Sequence, residues 1–295
     1  MDSEQILAII AEQKLPPGYR TTVDDHWRPI AQAIATAQRA AGRSIVVGVN
    51  GPQGSGKSTF CLFVEAILRN RHGLGAAILS LDDLYLGRAE RQRLAGAVHP
   101  LLAVRGVPGT HDVALGQRTI DALTRGQGAL PLPRFDKATD DRVPEFESPI
   151  VTAPVDVVLF EGWCVAAEPE EEISLSKPIN TLEAEADRDG SWRAYVNECL
   201  GHSYRPLFAS IDLLIMLEPP GFEVVSGWRQ LQERKLRQRT GRGMTDAEIL
   251  RFVMHYERLT RHMLGSMPGR ADIVVAIDAA HRVTRVSHSP KPGAG

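Results

Sequence analysis

Cysteine is scarce in this sequence of 295 residues, which contains only Cys61, Cys164 and Cys199. The three are widely spaced and form no CxxC pair, which excludes a disulfide scaffold or a zinc ribbon as the basis of the fold. The first residues, which include Asp2 and Glu4, lack the basic start and apolar core of a secretory signal. We therefore expect reduced thiols and a cytoplasmic location.

Excess charge and long apolar runs are also missing. The formal net charge of −2 gives no overall field to attract nucleic acid or an anionic membrane. No apolar run approaches the roughly 18 residues that span a bilayer. The composition, with 43% hydrophobic and 24% charged residues, is typical of a globular chain that buries a core. We expect neither a nucleic-acid nor a membrane partner, and no pattern indicates an oligomeric state.

Several short apolar runs predict β-strands. The clearest are Ser44–Asn50, Ala77–Leu81, Val155–Phe160, Asp212–Leu217 and Ala271–Ile277. Helical patterns separate most of them, which predicts a mainly parallel sheet with helices on both faces. Residues 130–133 and 282–287 are interpreted as shorter edge strands. The predicted fold is an α/β three-layer sandwich.

The remaining segments suggest a simple domain organisation. Residues 1–43 are predicted to form a helical N-terminal extension, residues 44–288 the main domain, and residues 289–295 a disordered tail. The acidic stretch Ala167–Gly190 has no periodicity. We expect it to be a solvated insertion loop.

A glycine-rich segment follows the first predicted strand. It reads Gly51-Pro52-Gln53-Gly54-Ser55-Gly56-Lys57-Ser58 and matches the phosphate-binding pattern G-x-x-x-x-G-K-[ST]. In such a P-loop the backbone N–H groups surround phosphate oxygens, Lys57 reaches the β- and γ-phosphates, and the Ser58 hydroxyl contacts Mg²⁺. Thr59 is assigned to the same site. Only six of the 34 basic residues are lysines, which makes Lys57 more informative. The motif predicts ATP and Mg²⁺ as cofactors.

Acidic residues follow two other predicted strands. Glu161 comes after a buried run, where a P-loop protein needs a carboxylate for Mg²⁺ or water. Asp82 follows the strand Ala77–Leu81, and strand ends in such sheets open toward the ligand crevice, so Asp82 can face the γ-phosphate. The adjacent Asp83 is the less favoured candidate, because it can equally cap or turn the chain.

These elements resemble a known superfamily of kinases. Ser80-Leu81-Asp82-Asp83-Leu84-Tyr85 after a P-loop, and Glu161-Gly162 after a buried strand, are similar to uridine kinase, phosphoribulokinase and bacterial pantothenate kinase. Within that group, residues 105–112 (RGVPGTHD), 132–137 (LPRFDK) and 160–164 (FEGWC) resemble the plant-type D-glycerate 3-kinases. The resemblance extends from about Ser44 to about Val283. The guanine-reading N-K-x-D motif of a GTPase is missing.

The resemblance implies transfer of the ATP γ-phosphoryl group to a hydroxyl, with D-glycerate giving 3-phosphoglycerate. It makes Lys57, Asp82 and Glu161 the catalytic residues, with Asp82 accepting the hydroxyl proton. Ser58, Asp82 and Glu161 are the expected Mg²⁺ ligands.

A substrate carboxylate requires fixed cations or N–H donors. The candidates are Arg105, His111, Arg134, Lys137 and Arg142. Arg134 is equally explained as a surface arginine, and His111 as a structural turn residue. The resemblance adds Tyr85 and Asp112 to the substrate site.

An arginine-rich stretch extends from Trp228 to Arg242 and precedes Gly243. It predicts a lid, about residues 226–245, that closes on the phosphates and excludes water. Its favoured phosphate contacts are Arg234, Arg237 and Arg239. The alternative is an exposed, salt-bridged helix.

Two alternative functions stay open. One is a kinase for another small acceptor, such as pantothenate, a nucleoside or a sugar phosphate. The other is a regulatory ATPase that hydrolyses ATP when it binds a protein. Asp82 and residues 105–112 count against the second, because such a protein needs no acceptor pocket.

Overall fold

Ten strands form the sheets of the computed structural model, which describes residues 2–240 and 244–289. They are β1 Ile45–Asn50, β2 Ala76–Ser80, β3 Gly128–Pro131, β4 Phe135–Asp136, β5 Asp141–Arg142, β6 Ile150–Ala153, β7 Val157–Gly162, β8 Leu213–Glu218, β9 Ile273–Ile277 and β10 Val283–His288. Six of them build the central sheet in the order β10-β9-β8-β1-β7-β2. All neighbours in this sheet are parallel except β10, which pairs antiparallel with β9.

Eleven α-helices lie within the described residues. They are α1 Asp2–Glu12, α2 Tyr19–Thr22, α3 Arg28–Ala41, α4 Lys57–His72, α5 Arg88–Ala97, α6 Val113–Arg125, α7 Thr181–Ala186, α8 Ser191–Gly201, α9 Arg205–Phe208, α10 Phe222–Thr240 and α11 Asp246–Ser266. A π-helical turn, Val23–Trp27, joins α2 to α3. In the part of the chain that is described, no helix is both long and apolar enough to cross a bilayer.

Side chains of β1 enter two separate cores because successive residues of a strand point to opposite faces. Val47 and Val49 are buried against α3 and α4, whereas Val46 belongs to the core that also contains residues of α6 and α11. Helices therefore cover both faces of a mainly parallel sheet. The predicted α/β three-layer architecture is confirmed.

The N-terminal helices share the first of these cores. Ile6 of α1 and Ile30 of α3 are buried with residues of α4. The ring of Trp27 packs edge-on against Phe60, with centroids 5.0 Å apart. These helices therefore form part of the layer that supports the P-loop helix.

The two predicted edge strands have different outcomes. Residues 282–287 correspond to β10, which lies at the edge of the central sheet as expected. Residues 130–133 overlap β3, which pairs with β6 in a separate antiparallel ribbon and not in the central sheet. A short strand pattern does not specify the strand's partner, so the sequence could not assign the sheet.

The expectation of a solvated loop holds for only part of the acidic stretch Ala167–Gly190. Its first half exposes Glu168, Glu171 and Glu172, whereas the second half is folded and partly buried. The second half contains α7, and the side chains of Glu183 and Asp187 are fully buried. Arg258 donates to Glu183 through Nε at 2.8 Å and Nη2 at 2.7 Å, and Arg193 donates to Asp187 at 2.8 Å. These pairs compensate the buried charges, so an acidic composition is compatible with a packed segment.

Of the predicted tail, only Ser289 belongs to the described residues, and positions 290–295 lie outside them.

Candidate active site

The P-loop connects the end of β1, in the middle of the sheet, to the start of α4. Gly54 and Gly56 have φ values of 82° and 90°, in the left-handed region that favours glycine. Between them, the Ser55 N–H donates to the carbonyl of Pro52 at 3.2 Å. The loop therefore curls around the N-terminus of α4, whose free N–H groups and positive dipole end suit a phosphate.

Lys57 is the first residue of α4. Its ammonium donates to the carbonyl of Pro52 at 3.1 Å, so the side chain folds back over the loop. Burial lowers the pKa of Lys57, and the nearby carboxylates of Glu161 and Asp82 oppose this effect. A phosphate bound in the loop would meet this cation at close range.

Glu161 stands beside the P-loop because β7 is the neighbour of β1 in the sheet, in a register that pairs Val49 with Glu161. The Ser58 hydroxyl donates to Glu161 Oε1 at 3.1 Å. Burial raises the pKa of Glu161 above its ordinary value, although the Lys57 ammonium acts in the opposite direction. A hydroxyl and a carboxylate in contact are oxygen ligands of the kind that Mg²⁺ accepts together with phosphates and water. This donor set fits the ion.

Asp82 lies on the other side of Glu161, because β2 pairs with β7 and Ser80 is opposite Glu161. Its Oδ1 accepts from the Tyr85 hydroxyl at 2.7 Å, and its Oδ2 accepts from Lys137 Nζ at 2.6 Å. Burial alone would raise the pKa of Asp82, but the Lys137 ammonium and the Tyr85 hydroxyl outweigh it and lower the pKa. Asp82 is therefore held as an oriented carboxylate.

A cavity of about 280 Å³ brings these groups together. Its lining includes Gln53, Gly54, Lys57, Ser58, Asp82, Tyr85, Arg105, Lys137, Glu161, Gly162, Trp163, Arg229, Phe252 and Tyr256. Besides Lys57, the cavity is therefore lined by two carboxylates, Asp82 and Glu161, and by three further cations, Arg105, Lys137 and Arg229. Such a space can hold a small anionic molecule next to a terminal phosphate.

Three predicted substrate residues lie behind the cavity wall. The ring of His111 stacks on Tyr85 at 4.8 Å, and its Nδ1 lies 2.6 Å from the Tyr204 hydroxyl. Burial lowers the pKa of His111 to about 4, so the ring is neutral at pH 7. Asp112 caps α6 by accepting from the Leu115 N–H at 2.8 Å.

Arg142 completes this support. Its Nη2 donates to Asp112 Oδ2 at 3.1 Å, and its Nε donates to the carbonyl of Tyr85 at 2.9 Å. Arg142 therefore links Asp112 to the backbone of Tyr85, and His111 packs against the Tyr85 ring. Together these residues hold Tyr85, whose hydroxyl orients Asp82.

Asp83 and Arg134 form a separate pair. Arg134 Nη1 donates to Asp83 Oδ2 at 3.1 Å, and the Phe135 N–H donates to Asp83 Oδ1 at 3.1 Å. This geometry favours the turn-forming role for Asp83 and a structural role for Arg134.

The lid arginines that were expected to contact the phosphates belong to α10. Arg234 is exposed on this helix. The side chains of Arg237 and Arg239, and residues 241–243, lie outside the described residues.

Thr59, which the sequence analysis assigned to the P-loop site, lies in the first turn of α4.

The partners that hold the Arg105 side chain were not predicted from the sequence. Asp140, whose φ is 59°, pairs with Arg105 and accepts from the buried Arg91 at 2.5 Å. Both guanidinium groups also lie over the ring of Phe135, at 5.7 Å from its centroid for Arg91 and 5.5 Å for Arg105. No local pattern could have revealed this group, because Asp140 is 35 positions away from Arg105 in the chain.

Aromatic residues form the rest of the wall. The Tyr256 hydroxyl donates to the carbonyl of Arg105 at 2.9 Å, and Trp163 Nε1 donates to the carbonyl of Gly106 at 2.8 Å. A Cβ on Gly106 would lie 2.2 Å from the Tyr256 hydroxyl, and its φ is 131°, so only glycine fits. Gly106, directly after Arg105, was the sequence feature that could have indicated this close approach of Tyr256.

Sequence comparison shows that the chain is similar to known kinases. The chain is 34% identical over 255 residues to the uncharacterized kinase mug58 of Schizosaccharomyces pombe, a match that covers 83% of this chain and 90% of that protein. It is 30% identical over 223 residues to the chloroplastic D-glycerate 3-kinase of Arabidopsis thaliana, covering 72% of this chain and 46% of that protein. The chain belongs to the P-loop kinase family that contains the plant-type D-glycerate 3-kinases. No family model matches the sequence.

A solved structure supports the same membership. The D-glycerate 3-kinase of Cryptococcus neoformans superposes on this P-loop kinase with a TM-score of 0.71 at 25% identity, over 88% of this chain and 99% of that one. The resemblance drawn from the sequence motifs is confirmed, and the chain is a phosphotransferase. Its P-loop, Asp82 and Glu161 follow neighbouring strands of the central sheet.

Proposed function

We propose that this kinase uses ATP and Mg²⁺ to phosphorylate D-glycerate, giving 3-phosphoglycerate and ADP. One observation carries the proposal: the cavity beside the P-loop contains the carboxylate of Asp82 together with the cations of Arg105 and Lys137. A hydroxy acid needs both features, a proton acceptor for its hydroxyl and a cation for its carboxylate.

The P-loop would hold the phosphates of the nucleotide. Its N–H groups and Lys57 neutralise charge on the β- and γ-phosphates, and they are already in place before the reaction. Ser58 and Glu161 would hold Mg²⁺, which supplies positive charge to the phosphate oxygens.

Asp82 would orient the acceptor hydroxyl. The hydroxyl oxygen attacks the γ-phosphorus, the bond from that phosphorus to the β,γ-bridging oxygen breaks, and ADP leaves with the electron pair. The hydroxyl proton passes to Asp82. Because the transition state is loose, this proton moves late and the position of the carboxylate matters more than its basicity. The hydrogen bonds from Tyr85 and Lys137 fix that position.

Arg105 would bind the carboxylate of the acceptor. Its guanidinium is held by Asp140 and by the ring of Phe135, so little side-chain freedom is lost on binding. Lys137 donates to Asp82 and lines the same cavity as Arg105, so it can contact the same anion. The cavity volume of about 280 Å³ favours a small acid over a nucleoside.

A panel of acceptors tests the proposal. ADP release would be measured with D-glycerate, L-glycerate, pantothenate, uridine and ribulose 5-phosphate, and ³¹P NMR would identify the phosphorylated hydroxyl. We expect the highest kcat/KM with D-glycerate, and phosphate on its primary hydroxyl. Higher activity with another acceptor would contradict the proposed substrate, and equal ADP release without any acceptor would favour a regulatory ATPase.

We also propose a reducing, cytoplasmic location. Cys61, Cys164 and Cys199 are all free and buried. Buried thiols of this kind suit a compartment that keeps cysteine reduced. Localisation of the full chain by fluorescence microscopy would test this, and a signal confined to an oxidising compartment would contradict it.

A further inference from the structure

The carboxylate of Asp140 is shared by two arginines. Its Oδ2 accepts from Arg91 Nη2 at 2.5 Å, and its Oδ1 accepts from Arg105 Nη1. One carboxylate therefore faces two guanidinium groups, so one positive charge of the group has no counter-charge within it. Among the described residues that line the cavity beside the P-loop, Arg105 is present and Arg91 is not. This group thus presents its excess charge to the cavity through Arg105.

Arg91 is the buried member of the group, with only 1% of the residue exposed. Its Nη1 donates to the carbonyl of Leu86 at 2.5 Å, and its Nε donates to the carbonyl of Ala103 at 3.3 Å. These two bonds fix the guanidinium in the protein interior. The carboxylate of Asp140 therefore has one permanent partner that an acceptor molecule in the cavity does not replace.

Arg105 has a different environment. Its side chain is 29% exposed, and its bond to Asp140 uses a single nitrogen, Nη1. An arginine and a carboxylate frequently form a bidentate pair, in which two N–H groups meet both oxygens. Here Arg91 competes for the second oxygen of Asp140, which favours the single bond. The other N–H groups of Arg105 can then bind a ligand in the cavity.

The backbone at Asp140 supports a dedicated arrangement. Asp140 lies in the turn between β4 and β5 and has a φ of 59°, in the left-handed region. Few residues other than glycine adopt this conformation, and where they do the surroundings must hold them there. The ring of Phe135 on β4 attracts both guanidinium groups and accepts no conventional hydrogen bond from them. The hairpin therefore places the carboxylate at a fixed point between the two cations.

We propose that Arg91 is a positioning residue of the acceptor site. It holds one oxygen of Asp140, so that Asp140 orients Arg105 without neutralising it. The remaining charge and N–H groups of Arg105 then bind the carboxylate of the acceptor, and one excess charge matches one carboxylate. This inference rests on the proposed function, in which Arg105 binds that carboxylate.

The variant Arg91→Gln tests the role of the buried charge, because the amide keeps an N–H donor for Asp140. We expect Arg105 to turn onto both oxygens of Asp140. The KM for D-glycerate should rise by at least about 5-fold, within the range of couplings inside one hydrogen-bond network. The kcat with saturating D-glycerate, and the kcat/KM with glycerol, should stay within about twofold, since neither depends on binding a carboxylate.

Two further variants serve as comparisons. Arg91→Lys keeps the buried charge and should have a KM for D-glycerate close to that of the wild type. Arg93→Gln is the matched control, because Arg93 lies on the same helix, α5, and is exposed. We expect it to leave the kinetics unchanged. Thermal unfolding would report whether each variant is folded.

A double-mutant cycle tests whether Arg91 acts through Arg105. In the Arg105→Ala background, Arg91→Gln should raise the KM for D-glycerate no further, since no guanidinium is left to position. A general structural defect would instead raise the KM in both backgrounds by the same factor.

Two kinetic results would overturn the inference. One is a wild-type KM for D-glycerate in a folded Arg91→Gln variant, and the other is an equal rise in KM with and without Arg105. An unchanged KM in Arg105→Ala alone would contradict the proposed carboxylate site and this inference together. A raised KM in Arg105→Ala with no effect of Arg91→Gln would contradict only this inference.

A crystal structure of the wild type with ADP and D-glycerate decides the question if Arg91→Gln does not fold. We expect the acceptor carboxylate on N–H groups of Arg105 that do not contact Asp140, with Asp140 still bound to Arg91. A bidentate pair between Arg105 and Asp140 in that complex, or release of Asp140 from Arg91, would contradict the inference.

Discussion

Lys137 Nζ lies 2.6 Å from Asp82 Oδ2, although 55 positions separate the two residues in the chain. The other oxygen of Asp82 accepts from Tyr85 at 2.7 Å. Both oxygens of the proposed proton acceptor thus have a defined partner. The pair links residues 132–137, identified from their similarity to the family, with the residue that we expect to orient the hydroxyl.

Removal of Lys137 should change the pH dependence of the reaction. The Lys137 ammonium is the main interaction that lowers the pKa of Asp82, and burial acts in the opposite direction. In Lys137→Met the pKa of Asp82 rises, so protonation of the carboxylate begins at higher pH. We expect the acid limb of the kcat–pH profile to move to higher pH, as measured with saturating acceptor. Lys137→Arg keeps the charge and should leave this limb close to that of the wild type. An unchanged limb in Lys137→Met would contradict the assignment of Asp82 as the titrating acceptor.

Replacement of Asp82 by Asn should separate chemistry from binding. The amide keeps the shape of the side chain but cannot take the hydroxyl proton. We expect Asp82→Asn to lower kcat by at least about 10²-fold, a loss typical of one oriented catalytic group. The Kd for Mg–ADP should stay within about twofold, because the P-loop is intact. Near wild-type transfer by this variant would show that another group accepts the proton.

Loss of Arg105 should raise the KM for acids in particular. Its hydrogen bonds to a substrate carboxylate would be worth about 1.5–3 kcal/mol, which corresponds to a KM increase of roughly 10- to 150-fold in Arg105→Ala. Steady-state kinetics with D-glycerate and with glycerol, which has no carboxylate, would check this. We expect glycerol to be a weak acceptor, and its kcat/KM to be similar in the wild type and in Arg105→Ala. Arg93→Ala, at an exposed position of α5, is the control. Equal losses with both acceptors would argue against carboxylate binding by Arg105.

The buried acidic segment should contribute to stability. Glu183 is fully buried and receives two hydrogen bonds from Arg258, which is itself largely buried. Glu183→Ala would leave that guanidinium without its principal partner, and we expect a loss of about 3 kcal/mol in the free energy of unfolding.

Urea denaturation would measure this loss. Glu185 lies on the same helix, α7, and is exposed. We expect Glu185→Ala to change the free energy of unfolding by less than about 0.5 kcal/mol. Equal effects of the two substitutions would show that burial of the charge is not the cause.

The sequence by itself determined the architecture and the phosphate end of the site. The strand runs, the P-loop and the acids after two strands are patterns of adjacent residues, and these patterns depend on local backbone conformation and on side-chain periodicity. Parallel pairing of β1, β7 and β2 then brings Lys57, Glu161 and Asp82 to the same sheet edge. That arrangement was predictable, because the carboxyl ends of parallel strands meet.

The tertiary structure decided the partners of each charged side chain. It places Asp140 against Arg105, buries Glu183 with Arg258, and puts His111 behind Tyr85 instead of in the cavity. It also packs the N-terminal helices against the helix that follows the P-loop. These contacts join segments that are far apart in the chain, and their energies depend on burial and on distance. A local pattern contains neither quantity, so only the folded chain defines them.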